Sequence, residues 1–429
     1  MFRYKKRDKY KQRDKIKNKR ILAAALIAVV GMCSGCSLIP SFSLSDPEIG
    51  TGSFFGTFQE ESRSPVDSTE AILSFLPEEE TSLLGKPGYC YVTLSEEEQV
   101  VYEEIYAILT GTGESCRLSS TDSEQVKKVY YNVMADHPEI FWVDGYRIDT
   151  TRRGDRVLSL EFSMKQTMDS GEIAGWQDVI GVYLKKFMEE AGKAGISSGS
   201  GDYDRIRFTF DYIVKHTEYN ESAEHNQNIC SVFGDGQSVC QGYSVAMQYL
   251  LLYQGISSIT VTGTTKDTGT SHAWNLVKAD GSWYYLDVTW GDPSYSESSE
   301  VPDEIVNYSY FCVTGDDISK NHVIGSELEL PECTAVEDNY FIHENCLFEE
   351  WDEEQFETLL VSCMESGEKY LSIRCSDAGL YGQVKELLIS DQKIFDCMER
   401  SAYRTGTDAP TQVSYFENKD FNILTFMWK

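Results

Sequence analysis

The spacing of apolar residues divides most of the chain into helical and extended stretches. Ser95 and Glu98 form a capping box ahead of apolar residues spaced three and four positions apart, which predicts a helix. The same spacing predicts further helices over 123–136, 171–194, 203–216 and from Cys240 onward in "CQGYSVAMQYLLLYQG".

Alternating and β-branched stretches predict the strands. Two strands, Ile140–Tyr146 and Val157–Met164, flank the turn "RRGD". A third strand follows in "SSITVTG", and "HAWNLVKADGSWYYLDVTW" predicts a hairpin. After about Leu330 the pattern predicts the order β-α-β-α-α-β-β, with Asp352 capping the first helix. The mixture predicts an α+β fold.

Changes in composition indicate five segments. They are a signal peptide over 1–36, a flexible tether over 37–87, a small α+β module over 88–196, a central domain over 197–329 and a small α/β module over 330–429. The tether is rich in Ser, Gly, Pro and Glu, and the run "GISSGSGD" marks the start of the central domain.

The first 36 residues predict export. A basic stretch precedes the apolar run "ILAAALIAVVGM", and small residues follow in "CSGC". The ending Cys33–Cys36 resembles a bacterial lipobox, so we expect a lipid on Cys36 and a protein held at the extracellular face of the bacterial cell membrane. An uncleaved anchor is the alternative, since the apolar stretch could just span a bilayer.

The charge of the chain argues against one class of binding partner. The chain has a formal charge of −31, yet its first 35 residues carry eleven Lys or Arg and two Asp, so the remainder carries −40. Such an acidic body repels nucleic acid, and no nucleic-acid partner is expected.

The chain has 12 cysteines, but its only CxxC is "CSGC", so most of the others are predicted to be buried thiols.

The predicted hairpin brings a histidine and an aspartate together. Asp280-Gly281 is a strong signal for a two-residue turn. A turn centred there places His272 opposite Thr289, with Asp287 one diagonal step away on the same face. Diagonal neighbours have Cα atoms about 7–8 Å apart, within reach of an imidazole–carboxylate hydrogen bond. The hairpin therefore predicts a histidine oriented by a carboxylate.

Cys240 stands where a helix favours a thiolate. The positive end of a helix dipole and a neighbouring imidazolium both lower the pKa of a thiol from its ordinary value of about 8.5. The backbone N–H of Cys240 would face an oxyanion forming on an attacked carbonyl. Gly242 in the first turn is expected to keep the approach to the sulfur open. Together with His272 and Asp287, Cys240 completes the parts of a nucleophilic triad.

Three motifs in this order carry a family resemblance. "SVCQGYS", "HAWN" and "YYLDVTWGDP", after a helix ending in "KHTEYN", resemble the transglutaminase-like domain, in the branch of cytokinesis and kyphoscoliosis peptidases. The resemblance covers about 202–293 and implies a papain-like core, a cysteine-bearing helix on an antiparallel sheet. It implies Cys240 as nucleophile, His272 as general base and acid, and Asp287 as orienting carboxylate, with no metal and no cofactor.

Other residues near the motifs have weaker signals. Gln237 and Gln241 are candidates for assisting the oxyanion, Tyr219 for approaching the site, and Trp274 for a wall of the cleft. Local packing or backbone hydrogen bonds are the alternative for each. His322 has no partner signal and is expected at the surface or in a loop. A zinc site made of Cys, His and Asp is disfavoured because no paired ligand spacing is present.

These expectations combine into a membrane-tethered cysteine enzyme that acts on amide bonds through a thioester. Hydrolysis of peptides, including cell-wall peptides, is the first expectation, and protein cross-linking is the second. One alternative is a catalytically silent scaffold of the same fold, used in cell-surface adhesion or assembly. Another is a papain-like peptidoglycan endopeptidase of a different family, which "HAWN" and "LDVTW" fit less well.

Overall fold

The computed structural model of the protein describes residues 82–111, 115–292, 305–325 and 327–428. The predicted signal peptide, Cys36 and nearly all of the tether lie outside these residues. Within the described ranges, no helix combines the length and apolar character needed to cross a membrane.

The described part of the chain contains thirteen α-helices and thirteen strands. The helices are α1 Tyr89–Thr93, α2 Glu96–Thr110, α3 Ser123–Asp136, α4 Ser170–Lys193, α5 Asp202–His216, α6 Ile229–Gly234, α7 Cys240–Tyr253, α8 Val288–Gly291, α9 Gly315–Ile318, α10 Tyr340–His343, α11 Glu353–Ser366, α12 Ala378–Lys385 and α13 Lys393–Thr405. The strands are β1 Cys116–Arg117, β2 Val143–Arg153, β3 Arg156–Gln166, β4 Glu218–Tyr219, β5 Gln237–Ser238, β6 Ser258–Thr265, β7 Ser271–Ala279, β8 Ser282–Leu286, β9 His322–Ile324, β10 Leu347–Phe348, β11 Tyr370–Cys375, β12 Val413–Asn418 and β13 Ile423–Trp428.

The N-terminal elements form a three-stranded antiparallel sheet, in the order β1-β3-β2, with helices against it. The capping box of Ser95 and Glu98 is present and begins α2, as predicted. The strand predicted from Ile140 instead begins at Val143. Ile140 to Trp142 form a turn, in which the indole N–H of Trp142 donates to the Leu109 carbonyl at 3.0 Å. These apolar residues are buried by a turn against α2 and not by a strand.

The central sheet is fully antiparallel, in the order β8-β7-β6-β9, and α7 packs on it. Gln248 of α7 fixes this packing. Its side-chain amide donates to the Ser258 carbonyl at 3.1 Å and accepts from the Thr260 N–H at 3.1 Å. Since α7 is buried on nearly every side, this polar anchor sets how the helix lies along the sheet. The predicted α+β core, with the cysteine-bearing helix on an antiparallel sheet, is confirmed.

The C-terminal elements form a sheet in the order β10-β11-β13-β12. Apart from short helical turns, they follow the predicted β-α-β-α-α-β-β order, and Asp352 accepts from the N–H groups of Glu354 and Gln355 at the start of α11. This part is joined to α5 by the ion pair of Arg207 and Glu344, at 2.8 Å. The helix that precedes the site is thereby tied to the C-terminal part of the chain.

The cysteines are mostly buried thiols, as predicted. Ten cysteines lie in the described ranges, none of them in a disulfide, and Cys116 is the exposed one.

Candidate active site

The β7–β8 hairpin has the predicted register. Ala279 pairs with Ser282 and Asn275 with Leu286, around a turn in which Asp280 and Gly281 have φ values of 47° and 89°. Both turn residues are left-handed, which is the conformation that the Asp-Gly pair favours. The pairing ends at Leu286, whereas the prediction continued it to Thr289. Asp287 ends the strand because its carboxylate caps α8, accepting the Trp290 N–H at 3.0 Å.

His272 and Asp287 form a buried hydrogen bond. The Nε2–H of His272 donates to Oδ2 of Asp287 at 2.7 Å, and the two side chains are 3% and 0% exposed. Burial alone raises the pKa of Asp287, but the imidazoles of His272 and His322 lower it more strongly. The pKa of Asp287 therefore lies well below its usual range, and this carboxylate is ionised at neutral pH.

His322 also reaches Asp287, contrary to the expectation of a surface position. Its Nε2 lies 3.1 Å from the same oxygen, Oδ2, and its side chain is fully buried. β9 pairs with β6 and so carries His322 to the edge of the central sheet. A partner signal was absent because His322 and Asp287 are 35 residues apart along the chain and meet only through sheet pairing.

Cys240 begins α7 at the end of the sheet where His272 lies. The side-chain amide of Asn275, on β7, donates to the Ser244 carbonyl of α7 at 2.9 Å, and Gln248 contacts Ser258 and Thr260 one helical turn further on. Ser258 and Thr260 pair with Val277 and Asn275 of β7. The helix and β7 therefore run in the same direction. Cys240, one turn before Ser244, lies towards the start of β7. Because Asp287 engages Nε2 of His272, Nδ1 is the nitrogen left to exchange a proton with a thiol.

Gly242 is needed for packing against the preceding loop, and its effect on access to the sulfur stays a prediction. A Cβ at this position would overlap Oγ of Ser238 and lie 3.0 Å from the Asn226 carbonyl oxygen. Oγ of Ser238 in turn donates to that same carbonyl at 3.1 Å. A glycine is required because the preceding loop closes directly against the first turn of α7.

The four residues with weaker signals, predicted to assist the oxyanion or to line the cleft, lie at different places near α7. Gln237, on β5, accepts from the Asn220 side-chain amide at 2.9 Å. The Tyr219 ring lies 6.5 Å from the ring of Tyr243, and Gln241 is the half-buried second residue of α7. Trp274 is fully buried, with its ring centroid 5.9 Å from that of His272. Trp274 thus packs beside the histidine, away from solvent, and the predicted roles of all four stay predictions.

Two groups of described residues have the donor atoms for a metal ion. In one, the donor atoms of His272, Asp287 and His322 lie within 4.8 Å of one another. Each imidazole faces the carboxylate through its Nε2, which must carry a proton to donate at these distances. A metal ion would need both of those nitrogens as lone pairs, whereas the hydrogen bonds to Asp287 use them as donors. The other group, on α11 and α13, is Glu353, Glu357 and Cys397, whose carboxylates pair with Arg400.

The segment that contains this site is similar in sequence to kyphoscoliosis peptidases. Kyphoscoliosis peptidase of Mus musculus is 25% identical over 145 residues, which are 30% of this chain and 22% of that protein. The Homo sapiens protein is 26% identical over 125 residues, 26% of this chain and 19% of that protein. The matched segment thus spans about a fifth of either relative.

Solved structures overlap this chain in part. A TGase structure overlaps 37% of this chain and 47% of its own, with a TM-score of 0.25 and 13% identity. A candidate cysteine protease from Cytophaga hutchinsonii overlaps 33% and 61%, with a TM-score of 0.22 and 14% identity. A family model of the transglutaminase-like superfamily matches residues 191–288. Residues 191–288 are thus similar to the transglutaminase-like superfamily, and Cys240, His272 and Asp287 all lie within the matched segment.

Proposed function

We propose that this protein is a cysteine acyl-transfer enzyme that cleaves or transfers amide bonds through a thioester. The transglutaminase-like domain supports an acyl-transfer or peptidase role in general. The observation that carries the specific proposal is the buried hydrogen bond of His272 to Asp287, at the end of the sheet where Cys240 begins α7.

The reaction proceeds in two halves. The thiol of Cys240 gives its proton to Nδ1 of His272, and the thiolate attacks the amide carbonyl carbon. N–H groups in the first turn of α7 stabilise the oxyanion. The C–N bond then breaks, His272 gives the proton to the leaving amine, and a thioester remains on Cys240.

The acceptor decides the product. In the second half, His272 removes a proton from the incoming water or amine, which attacks the thioester carbonyl. The C–S bond breaks, and the proton returns to the Cys240 sulfur. Water yields a carboxylic acid and an amine yields a new amide. Peptide hydrolysis is the proposed main outcome and cross-linking the second.

Asp287 holds the histidine in the tautomer that this chemistry needs. A carboxylate that accepts from Nε2–H leaves Nδ1 of the neutral ring unprotonated and directs it away from Asp287. Once Nδ1 takes the thiol proton, the same carboxylate stabilises the imidazolium. Since Asp287 is fully buried, this stabilisation is only weakly screened by solvent.

The location of the enzyme is proposed from the N-terminal sequence. A signal of the lipoprotein type would place the enzyme at the extracellular face of a bacterial membrane, held by a lipid on Cys36, with protein or cell-wall peptides as nearby substrates. Mass spectrometry of the mature N-terminus tests this. A diacylglyceryl group on Cys36 that is absent after Cys36→Ala is expected, and an unmodified, uncleaved N-terminus would contradict it.

Burial of the thiol favours a second candidate function. Cys240 is 1% exposed and His272 is 4% exposed, which fits a silent scaffold of this fold as well as an enzyme whose cleft opens to substrate. A scaffold for surface adhesion or assembly has no need of a reactive thiol. Thiol reactivity therefore separates the two functions.

The pH dependence of iodoacetamide labelling at Cys240 is the experiment that tests the proposal. In the full-length protein, labelling read by mass spectrometry is expected to be half-maximal below about pH 7, because an imidazolium and a helix N-terminus stabilise the thiolate. His272→Ala should move the midpoint upward. The exposed thiol of Cys116 is an internal reference, and its labelling midpoint is expected to be the same in both proteins.

Two results would contradict the proposal that this protein is an enzyme. One is labelling of Cys240 only near the ordinary thiol pKa of about 8.5, with no change in His272→Ala. The other is complete protection of Cys240 while the protein is folded, in samples where Cys116 labels normally. Either result would favour the scaffold.

A further inference from the structure

His322 is buried at a position where strand geometry does not require it. In β9 the apolar residues Val323 and Ile324 are 49% and 36% exposed, whereas His322 is 2% exposed. Burial of apolar surface therefore does not explain the orientation of this short edge strand, because the opposite orientation would turn Val323 inward instead. A polar contact made by His322 does explain it.

The ring of His322 is fixed among aromatic side chains. Its centroid lies 4.7 Å from that of Trp274, 4.4 Å from that of Trp290 and 5.5 Å from that of Tyr310. These rings come from β7, α8 and the 3₁₀ turn Tyr308–Tyr310. His322 therefore has little freedom to leave Asp287, and its Nε2 is held at the carboxylate.

The Asp287 carboxylate is shared. Oδ2 accepts from Nε2 of His272 at 2.7 Å and from Nε2 of His322 at 3.1 Å, while Oδ1 accepts the Trp290 N–H at 3.0 Å. Two imidazoles thus compete for one oxygen. A carboxylate oxygen that divides its negative charge between two donors binds each more weakly than it would bind one alone.

His322 acts as a neutral donor. Burial and the nearby imidazole of His272 lower the pKa of His322, against the opposite effects of Asp287 and of the Ile318 carbonyl. The titratable groups that face its ring are Asp287, His272 and Tyr310, each from a different element. With the single proton of the neutral ring on Nε2, His322 adds a hydrogen bond to the site without adding a second positive charge beside His272.

We propose that His322 is a positioning residue of this site: it holds Oδ2 of Asp287 in place and sets the strength of the hydrogen bond between that oxygen and His272. The inference rests on the proposed function only for its consequence, which is the rate of acyl transfer. The hydrogen-bond arrangement itself is measurable whether or not the protein is an enzyme.

NMR of the full-length protein, labelled with ¹⁵N in its histidine rings, tests the arrangement. The chain has 6 histidines, so the ring signals are few and are assigned by single substitutions. At neutral pH we expect His322 to be neutral with its proton on Nε2. In His322→Phe the signal of the Nε2–H proton of His272 should move to lower field. His272 then no longer shares Oδ2 with His322, so its hydrogen bond to that oxygen becomes stronger. His322→Gln, which keeps a side-chain N–H donor, should restore most of the original position.

A second buried histidine provides the matched control. His137 is 1% exposed and pairs with Glu139 at 2.7 Å, outside the site. His137→Phe removes a comparable pair and should leave the His272 signal unchanged.

In acetyl transfer from p-nitrophenyl acetate, His322→Phe is expected to lose roughly tenfold in rate, part of the about 10²–10⁴-fold that a positioned acid–base group contributes. His322→Gln should recover most of that rate.

Two results would overturn the proposal. A wild-type His322 that is cationic or carries its proton on Nδ1 is incompatible with it, and this measurement needs no variant. An unmoved His272 signal in a folded His322→Phe protein also contradicts it. If wild-type protein transfers no acetyl group while both NMR results hold, the proposed function fails and the role of His322 in the hydrogen-bond arrangement stands.

Discussion

Cys240→Ala is expected to abolish acyl transfer while leaving the protein folded. The substitution removes the sulfur that forms the thioester and leaves the His272–Asp287 hydrogen bond in place. Loss of a nucleophile from a triad lowers turnover on the order of 10⁴-fold or more. Removing one buried thiol costs about 1 kcal/mol in the free energy of unfolding, which a domain of this size tolerates.

Acetylation of the full-length protein by p-nitrophenyl acetate measures this effect. The wild-type protein should show a burst of p-nitrophenol and gain one acetyl group on Cys240, located by mass spectrometry. Cys230→Ala is the matched control, because Cys230 is fully buried in α6 and makes a similar loss of packing. The control should retain the burst, and Cys240→Ala should lack it.

A burst that persists in Cys240→Ala would contradict the proposed nucleophile. Mapping the acetyl group to another residue in that variant would identify the residue that reacts instead. Equal loss in Cys230→Ala and Cys240→Ala would assign the effect to packing around α7.

Asp287→Asn is expected to reduce both catalysis and stability. The carboxylate accepts three N–H groups, from His272, His322 and the Trp290 backbone. An asparagine cannot accept from both imidazoles and from the backbone, and its NH₂ group would face an imidazole N–H. It also favours the wrong tautomer of His272, which in a triad lowers turnover by about 10⁴-fold.

The stability loss follows from the burial of this site. Losing a hydrogen bond to a buried charged group costs about 1.5–3 kcal/mol. Urea unfolding of the two proteins measures it. Asp292→Asn is the matched control: Asp292 is also buried and accepts the Tyr243 hydroxyl at 2.8 Å, so it should lose stability but keep acetyl transfer. If wild type and Asp287→Asn transfer acetyl groups at comparable rates, Asp287 has no role in the mechanism.

The pH dependence of unfolding gives an independent measure of Asp287. The pKa of Asp287 is lower in the folded protein than in the unfolded chain, where it is about 3.9. Its contribution to stability is therefore fully present above that unfolded value and is lost as pH falls towards the folded one. Below about pH 5, stability should fall more steeply in wild type than in Asp287→Asn.

Local signals in the sequence determined the helices, the hairpin and the placement of His272 beside Asp287. A capping box acts over four residues, so the start of α2 follows from Ser95 and Glu98 alone. An Asp-Gly turn sets the pairing of both its strands, so His272 and Asp287 could be placed on one face from their distance to the turn. The position of Cys240 at a helix start is equally local.

Tertiary structure decided the rest. His322 reaches Asp287 only because β9 pairs with β6, and strand pairing across a long sequence separation leaves no local pattern. Gly242 faces Ser238 through a loop closure that residue spacing does not reveal. β8 ends at Leu286 because Asp287 caps α8 instead of continuing the pairing with β7. Hydrogen bonds and turns within a few residues are encoded locally, whereas side chains that meet through packing are placed only by the whole fold.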